Sequence, residues 1–240
     1  MRAMDLGIDG KVALVTAASA GLGFGCAQAL VSEGCRVAIN AHDAGRLDAA
    51  RAALGADTLA LPADVTDPGA PAQLVASTVQ RFGGIDILVA NAPGPPKARA
   101  LDVTDDALRD AVEANLLTSV RLVRATVPHM RIAGWGRIIL LTSVAIKEPI
   151  SDLAASSAAR TGLWAWAKSA AQDLIADGIT LNVLAPGLHD TDRVRALGHT
   201  GPTGDPADFG RIAAFLCSVH TGFLSGVALQ VDGAATLGLL

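Results

Sequence analysis

The sequence contains no tyrosine, and aromatic residues of every kind make up only 3% of it. No phenol is therefore available anywhere in the chain as a proton donor, which narrows the acid–base chemistry that an enzyme of this sequence could use. Cysteine is also scarce. Cys26, Cys35 and Cys217 lie in apolar surroundings without the spacing of metal ligands, so we interpret them as small core residues and expect no metal site.

Positive charge is scarce as well, because 19 basic and 23 acidic residues leave a net charge of -4 and form no basic cluster. This balance argues against nucleic acid as a partner. No apolar run approaches the roughly 20 residues of a membrane-spanning helix. Residues 1–10 also lack the charged-then-apolar pattern of a signal peptide. We therefore expect a cytoplasmic protein without a membrane partner.

Apolar residues, in contrast, are abundant enough for one large core. With 240 residues, 51% hydrophobic and 18% charged, the chain is predicted to form a single α/β domain over residues 1–240. Strands are predicted near 11–16, 35–40, 57–61, 85–90, 136–142, 178–184 and 227–231. Helices are predicted near 21–33, 44–54, 67–82, 104–131, 155–176 and 206–217. This alternation predicts a parallel sheet with helices on both faces and ligands at the carboxyl ends of its strands.

Residues 11–30 carry the clearest local signal. The run VALV at 12–15 is typical of a strand that is covered on both faces, and a helical apolar pattern follows the turn. Gly21 and Gly23 let the backbone amides at the start of that helix approach a ligand closely. Because a helix N-terminus favours negative charge, a pyrophosphate is the ligand that this turn predicts.

Residues 16–23, T-A-A-S-A-G-L-G, resemble the T-G-x-x-x-G-x-G turn of the short-chain dehydrogenase/reductase family, a Rossmann-fold group that binds NAD or NADP. The resemblance implies a doubly wound sheet of seven parallel strands in the order 3-2-1-4-5-6-7. Ala17 replaces the first glycine, which is tolerable if its φ is negative. Ala20 replaces an arginine that NADP-preferring members often carry. The cofactor-binding residues that this turn implies are Thr16, Ser19, Gly21, Leu22 and Gly23.

Three later segments resemble cofactor motifs of the same family. Asp64-Val65 is similar to the pair whose aspartate contacts adenine, and the segment after the fourth strand matches except that Pro93 replaces a glycine. The segment after the sixth strand resembles N-x-x-x-P-G-x-x-x-T, whose threonine contacts the nicotinamide. The residues that these segments imply for the cofactor site are Asp64, Val65, Asn91, Ala92, Pro186, Gly187 and Thr191.

The end of the second predicted strand bears on the choice between the two nucleotides. A carboxylate there binds the ribose diol of NAD, whereas a guanidinium shortly afterwards binds the 2′-phosphate of NADP. Here Asn40 ends the strand, and His42 stands where relatives often have arginine. Since Asn40 does not repel a phosphate and His42 can donate to one, we expect NADP(H) rather than NAD(H). An ordinary loop role for both residues, and weak or absent cofactor binding, stay open.

The resemblance extends to the catalytic residues. Ser143 matches the serine that hydrogen-bonds the substrate carbonyl, and Asn115 matches the asparagine that holds a water of the proton relay. The family's tyrosine and lysine would fall at Ser156 and Arg160. A serine hydroxyl cannot be tuned to working pH and an arginine stays protonated, so classical carbonyl reduction would lose about 10²–10⁴ in rate. Arg160 suits a ribose, a phosphate or a substrate carboxylate.

Two residues are candidates to replace the missing acid. His189 lies in the segment after the sixth strand, and histidine is the usual general acid or base of enzymes. Lys147 lies four residues after Ser143. The alternative for each is an exposed loop residue without a catalytic role.

These observations leave three functions open. The first is an atypical enzyme of this family that dehydrates, isomerises or cyclises a small carbonyl or enol compound of secondary metabolism, with Ser143 holding a carbonyl oxygen. The second is an NADP(H)-dependent ketone or alcohol oxidoreductase that uses water or His189 in place of tyrosine. Both act on a small-molecule substrate, whereas the third function is that of a non-catalytic partner subunit. Trp164, Trp166 and the apolar residues 237–240 favour a homotetramer or homodimer.

Overall fold

The computed structural model describes residues 4–196 and 198–238, in which seven strands form one parallel sheet in the predicted order β3-β2-β1-β4-β5-β6-β7. The strands are β1 (Val12–Val15), β2 (Arg36–Ala41), β3 (Leu59–Pro62), β4 (Ile87–Ala90), β5 (Gly136–Leu141), β6 (Ile179–Pro186) and β7 (Ala228–Val231). The helices are α1 (Gly21–Ser32), α2 (Ala44–Leu54), α3 (Ala70–Phe82), α4 (Asp105–Val112), α5 (Thr118–Ala133), α6 (Ala154–Leu174), α7 (Asp192–Ala196) and α8 (Pro206–Leu216). Residues 1–3 and 239–240, which enter the predictions for the two termini, lie outside the described residues.

Helices cover both faces of the sheet because its inner strands are apolar along their whole length. In β1, Ala13 and Val15 point into a core layer shared with α1, α2 and α8. Leu14 points the other way, into a layer shared with α3, α5 and α6. The strands β4, β5 and β6 are buried from end to end. Fully buried parallel strands of this kind read as continuous apolar runs, which explains why the sequence predicts them well.

The parallel register brings the carboxyl ends of the inner strands to one edge of the sheet. Leu14 of β1 lies opposite Ala38 of β2 and Leu88 of β4. On the next strand along, Val89 of β4 lies opposite Ile139 of β5. The loops that follow these strands therefore meet at a single edge, and the predicted site residues lie on those loops.

The structure corrects the prediction of one long helix over 104–131. Thr104 does begin a helix, because its hydroxyl accepts a hydrogen bond from the Ala107 amide at 3.2 Å. However, α4 ends at Val112, and a π turn over Glu113–Leu117 connects it to α5. A π turn adds a residue to the helical repeat and changes the direction of the side chains that follow. Here it places Asn115 inside the protein, where only 2% of the residue is exposed.

Two further features were absent from the sequence prediction. The short helix α7 follows β6 and was not predicted. The helices α1 and α8 also touch backbone to backbone, because a Cβ at Gly25 would collide with the Pro206 carbonyl and a Cβ at Gly210 with the Gly25 carbonyl. Glycines inside both predicted helices were the available signal for this contact.

Within residues 4–196 and 198–238, no helix combines the length and the apolar character that crossing a membrane requires.

Candidate cofactor and catalytic site

The turn after β1 is fixed by hydrogen bonds to the loop after β4. The Thr16 hydroxyl donates to the Asn91 carbonyl at 2.7 Å, and the Asn91 amide donates back to the same hydroxyl oxygen at 2.9 Å. The Asn91 side-chain amide donates to the Ala17 carbonyl at 3.2 Å. Two residues that the motifs selected independently, Thr16 and Asn91, are thus brought together by the fold.

Ala17 has a φ of +47°, so the condition under which alanine is easily tolerated at this position, a negative φ, is not met. The turn needs a left-handed residue there whether or not it is glycine, because the neighbouring contacts fix the peptide. The Ala17 carbonyl is held by Asn91 on one side, and a Cβ at Gly23 would collide with it on the other. A left-handed alanine costs about 1 kcal/mol or more, which this hydrogen-bonded turn evidently sustains.

The N-terminus of α1 follows this turn and is open to an anion. Its N-cap residue, Ala20, provides no side-chain hydrogen bond, and the first turn contains no acidic residue. Gly21 has a φ of +58°, and a Cβ there would lie 3.1 Å from Cγ2 of Thr191. The free amides and the helix dipole at this end are the groups that bind phosphate, so the turn fits the pyrophosphate of a dinucleotide. Ser19 and Leu22 lie half-buried in the same segment.

The loops after β2 and β3 form the next part of the site. The fully buried Asn40 donates to the carbonyls of Leu61 and Ala63, both at 2.9 Å, so its amide joins the ends of the two strands. His42 is exposed. Hydrogen bonds from the Thr66 amide and hydroxyl hold the pKa of Asp64 below its usual value and occupy one of its carboxylate oxygens. Val65 is buried beside it.

The loop after β6 borders the site on the side of β7. The Gly187 amide donates to the Val231 carbonyl at 2.9 Å, which holds Pro186 and Gly187 against β7. Thr191 begins α7 by accepting a hydrogen bond from the Val194 amide at 3.3 Å. Because a Cβ at Gly21 would lie 3.1 Å from the Thr191 methyl group, the loops after β1 and β6 are close together. Ala92, on the loop after β4, is buried.

Ser143 and Arg160 come together at the carboxyl end of β5. The Ser143 hydroxyl accepts a hydrogen bond from the Ala145 amide at 3.2 Å and so caps a short 3-10 turn. Arg160 reaches from α6 and donates through Nη1 to the carbonyls of Leu141 at 3.2 Å and Thr142 at 2.7 Å. Burial lowers the pKa of Arg160 to about 10, which still leaves the side chain charged at neutral pH.

Several buried polar atoms beside this pair have no hydrogen-bond partner among residues 4–196 and 198–238. They are Nδ2 and Oδ1 of Asn115, Oγ of Ser157 and Nε of Arg160. The π turn that carries Asn115 packs directly on α6, because a Cβ at Gly162 would lie 2.9 Å from Cδ1 of Leu116. Ser156 is buried on the same helix, one turn before Arg160. Buried polar groups normally find a hydrogen-bond partner, so this cluster is suited to bound water or ligand.

The two candidate replacement acids point elsewhere. The ring of His189 packs edge-to-face on Phe209 with centroids 5.1 Å apart, contacts Gly204, and has Nδ1 3.2 Å from the Gly187 carbonyl. Only 4% of His189 is exposed, so it is not the exposed loop residue of the alternative either. Nζ of Lys147 lies 3.4 Å from Oε1 of Gln230 and over the ring of Trp164. These contacts of His189 and Lys147 do not involve Ser143 or Arg160.

The comparisons with known proteins agree with this arrangement. Residues 11–201 match the family described as short chain dehydrogenase. The chain belongs to the short-chain dehydrogenase family. Dehydrogenase/reductase SDR family member 4 of Oryctolagus cuniculus is 32% identical to this short-chain dehydrogenase over 242 residues, covering 94% of this chain and 93% of that protein. The 3-oxoacyl-acyl-carrier-protein reductase FabG of Salmonella typhimurium is 33% identical over 239 residues, covering 95% and 98%.

Solved structures of reductases superpose closely on this chain. L-sorbose reductase of Gluconobacter frateurii, complexed with NADPH and L-sorbose, has a TM-score of 0.91 at 29% identity and covers 98% of this chain and 100% of that one. A variant of actinorhodin polyketide ketoreductase with NADPH has a TM-score of 0.88 at 26% identity, covering 93% and 96%. The proteins to which this chain is similar therefore include several reductases.

Proposed function

We propose that this short-chain dehydrogenase is an NADP(H)-dependent reductase of a small carbonyl compound, with an atypical catalytic group. The observation that carries the proposal is that Ser143 and Arg160 lie at the same edge of the sheet as an intact phosphate-binding turn. A bound nicotinamide cofactor would supply the hydride. The reductases among its homologues, several with NADPH, support hydride transfer as the reaction.

The residues present fit NADP(H). The open amides of α1 would hold the phosphates, and the second oxygen of Asp64 is available to an adenine. At the end of β2, Asn40 is buried and its amide donates to two backbone carbonyls, while Asp43 caps α2 by accepting from the Arg46 amide at 2.9 Å, which occupies one of its two carboxylate oxygens. His42 is exposed at this position and can donate to a 2′-phosphate.

Ser143 is suited to hold the substrate carbonyl. Because its oxygen accepts from the Ala145 amide, its own O–H is directed away from that bond and can donate to a carbonyl oxygen. A positioned donor of this kind stabilises the negative charge that develops on oxygen during hydride transfer, which is typically worth a factor of about 10²–10³ in rate.

The proton would come from water rather than from a side chain. Ser156 and Arg160 occupy the positions where the family resemblance has tyrosine and lysine, and neither exchanges protons readily at neutral pH. The unpartnered atoms of Asn115, Ser157 and Arg160 are suited to hold a short chain of water molecules beside α6. We therefore expect turnover to be slow on simple ketones.

This proposal replaces proton-transfer chemistry as the preferred function. Dehydration, isomerisation or cyclisation would need an acid or base beside Ser143, whereas His189 and Lys147 contact other parts of the protein.

The test is substrate-dependent oxidation of NADPH by the wild type and by Ser143→Ala, with a panel of small ketones and oxo acids. We expect activity with at least one compound and about a 10²–10³-fold loss in kcat for Ser143→Ala, with the Kd for NADPH unchanged. Equal activity of the two proteins would contradict the role of Ser143. Binding of NADPH without oxidation by any compound would favour the non-catalytic subunit.

We also infer a homo-oligomer. The last strand, β7, carries the half-exposed Leu229, and Leu237 beyond it is 86% exposed. Apolar side chains at a sheet edge are typical of a contact between copies. Light scattering of the purified protein would test this, and a monomer mass would overturn it.

A further inference from the structure

Two arginines from different elements converge on Gly94 in the loop after β4. A Cβ at Gly94 would lie 3.6 Å from Nη2 of Arg193 on α7 and 4.0 Å from Nη2 of Arg160 on α6. Both guanidinium groups therefore border the same small volume next to the Gly94 backbone. A Cβ at this position would be in ordinary van der Waals contact with both guanidinium groups.

Both side chains are held in place by backbone carbonyls. Arg160 is 8% exposed, and its Nη1 donates to Leu141 and Thr142. Arg193 donates through Nη2 to the Pro95 carbonyl at 2.9 Å, which ties α7 to the loop after β4. A pair of cations that is already oriented loses little conformational entropy when it binds an anion.

The positive charges of Arg160 and Arg193 are not neutralised by Asp190 and Asp192, the acidic residues next to Arg193 in the sequence. Asp190 pairs with Arg195, and Asp192 pairs with Arg195 at 2.8 Å and with Arg46 at 2.6 Å. Within the part of the chain that the structure describes, the buried Nε of Arg160 has no hydrogen-bond partner. Burial and the positive charge of Arg193 both lower the pKa of Arg160, yet it stays charged at neutral pH. Two like charges in this position are stabilised by an anion that binds between them.

We propose that Arg160 and Arg193 bind a carboxylate of the substrate, so that the enzyme reduces small oxo acids. The inference rests on the proposed function for its hydride step. Arg160 donates to the carbonyl of Thr142, the residue before Ser143, so the carboxylate site and the carbonyl site are adjacent. Two guanidinium groups can hold a carboxylate through several charge-assisted hydrogen bonds. The same groups could instead serve a phosphate of the nucleotide, and the experiment separates these two anions.

The experiment measures binding calorimetrically with acetoacetate and with its neutral analogue acetoacetamide. Both are titrated into the nucleotide-free protein and into the protein loaded with NADP⁺, which prevents turnover. The variants are Arg193→Gln and, as the matched control on the same helix, Arg195→Gln, whose side chain is already paired with carboxylates. Arg193 makes its hydrogen bond at an exposed site, so its replacement leaves the core intact.

We expect the wild type to bind acetoacetate at least about tenfold more tightly than acetoacetamide. Arg193→Gln should bring this ratio close to one, whereas Arg195→Gln should keep it, and both variants should keep the Kd for NADP⁺. Arg160→Lys, with its fold verified by circular dichroism, should lower the ratio in part because it keeps the charge but loses the planar fork.

Two results would overturn the inference. One is equal binding of the two compounds by the wild type. The other is weaker NADP⁺ binding in Arg193→Gln with an unchanged acetoacetate ratio, which would assign the pair to the nucleotide. A failure of the proposed function is distinguishable, because it appears as a lack of nucleotide binding, while the nucleotide-free titration still tests the carboxylate site.

Discussion

The two halves of the site differ in how fully their polar groups are satisfied. On the turn side, Thr16, Ala17 and Asn91 hydrogen-bond one another across β1 and β4. On the α6 side, Nδ2 and Oδ1 of Asn115 and Nε of Arg160 find no hydrogen-bond partner in the described residues. Apart from Oδ1 of Asn40 on β2, the turn side is therefore satisfied by protein groups, whereas the α6 side needs water or ligand to complete it. On the same α6 side, Ser156 and Arg160 stand at the positions where the family has its tyrosine and lysine.

The largest effect is expected from restoring the two replaced residues. The double variant Ser156→Tyr and Arg160→Lys would give α6 a phenol and a neighbouring amine, which together form a tunable acid. We expect kcat with a simple ketone to rise about 10²–10⁴-fold, with the Kd for NADPH within about twofold of the wild-type value. Arg160→Lys alone is the control and should give no such rise. An unchanged kcat in the double variant would contradict the view that a missing proton donor on α6 limits turnover.

The next largest effect, on stability and NADPH binding, is expected at the turn after β1. Gly23→Ala would push a Cβ into the Ala17 carbonyl, so we expect a loss of about 1–3 kcal/mol in unfolding free energy and weaker NADPH binding. Gly45→Ala is a matched control, because Gly45 lies in the first turn of α2 and a Cβ there meets only Asp43 at 3.5 Å. That control should change stability by roughly 1 kcal/mol or less, in the stabilising direction. Urea unfolding of both variants measures this, and equal losses would contradict the account of the turn.

The pH dependence of the unfolding free energy is expected to come from one of the two core layers. All three thiols belong to the layer of α1, α2 and α8, and burial raises the pKa of Cys26 to about 12. The native state keeps this thiol protonated while the unfolded chain loses the proton above its ordinary pKa of 9.0, so stability is complete below pH 9 and falls as the pH rises. Cys26→Ala should reduce the decline by up to about 1.4 kcal/mol per pH unit between about pH 9 and about pH 10. Parallel slopes for variant and wild type in urea unfolding would refute this.

The smallest effect is expected at Ala17. Replacing it with glycine relieves the left-handed alanine but adds flexibility to the unfolded chain, so we expect a net gain of about 1 kcal/mol or less. Thermal unfolding of Ala17→Gly measures the gain. A loss of stability would mean that the turn does not strain this residue.

The sequence predicted the sheet because its evidence was local. Continuous apolar runs mark β1, β4, β5 and β6, and the motif at residues 16–23 marks the turn that follows β1. The π turn at Glu113–Leu117 was missed, because a helical apolar pattern continues through it and only tertiary packing on α6 selects the extra residue.

Side-chain direction was the part that the sequence could not provide. His189 lies in a segment next to the predicted cofactor, yet its ring turns towards Phe209 of α8, which is distant in the sequence. Asn40 similarly ends a strand as predicted but turns inward to Leu61 and Ala63. Conversely, the convergence of Arg160 and Arg193 on Gly94 joins three elements that no local pattern connects.

The most direct test of the account is a calorimetric titration of the purified protein with NADPH and with NADH. We predict that NADPH binds in the micromolar range and more tightly than NADH, because the turn after β1 is fully formed and the exposed His42 after β2 can donate to a 2′-phosphate. Absence of binding by both nucleotides up to millimolar concentration would contradict hydride transfer at this site.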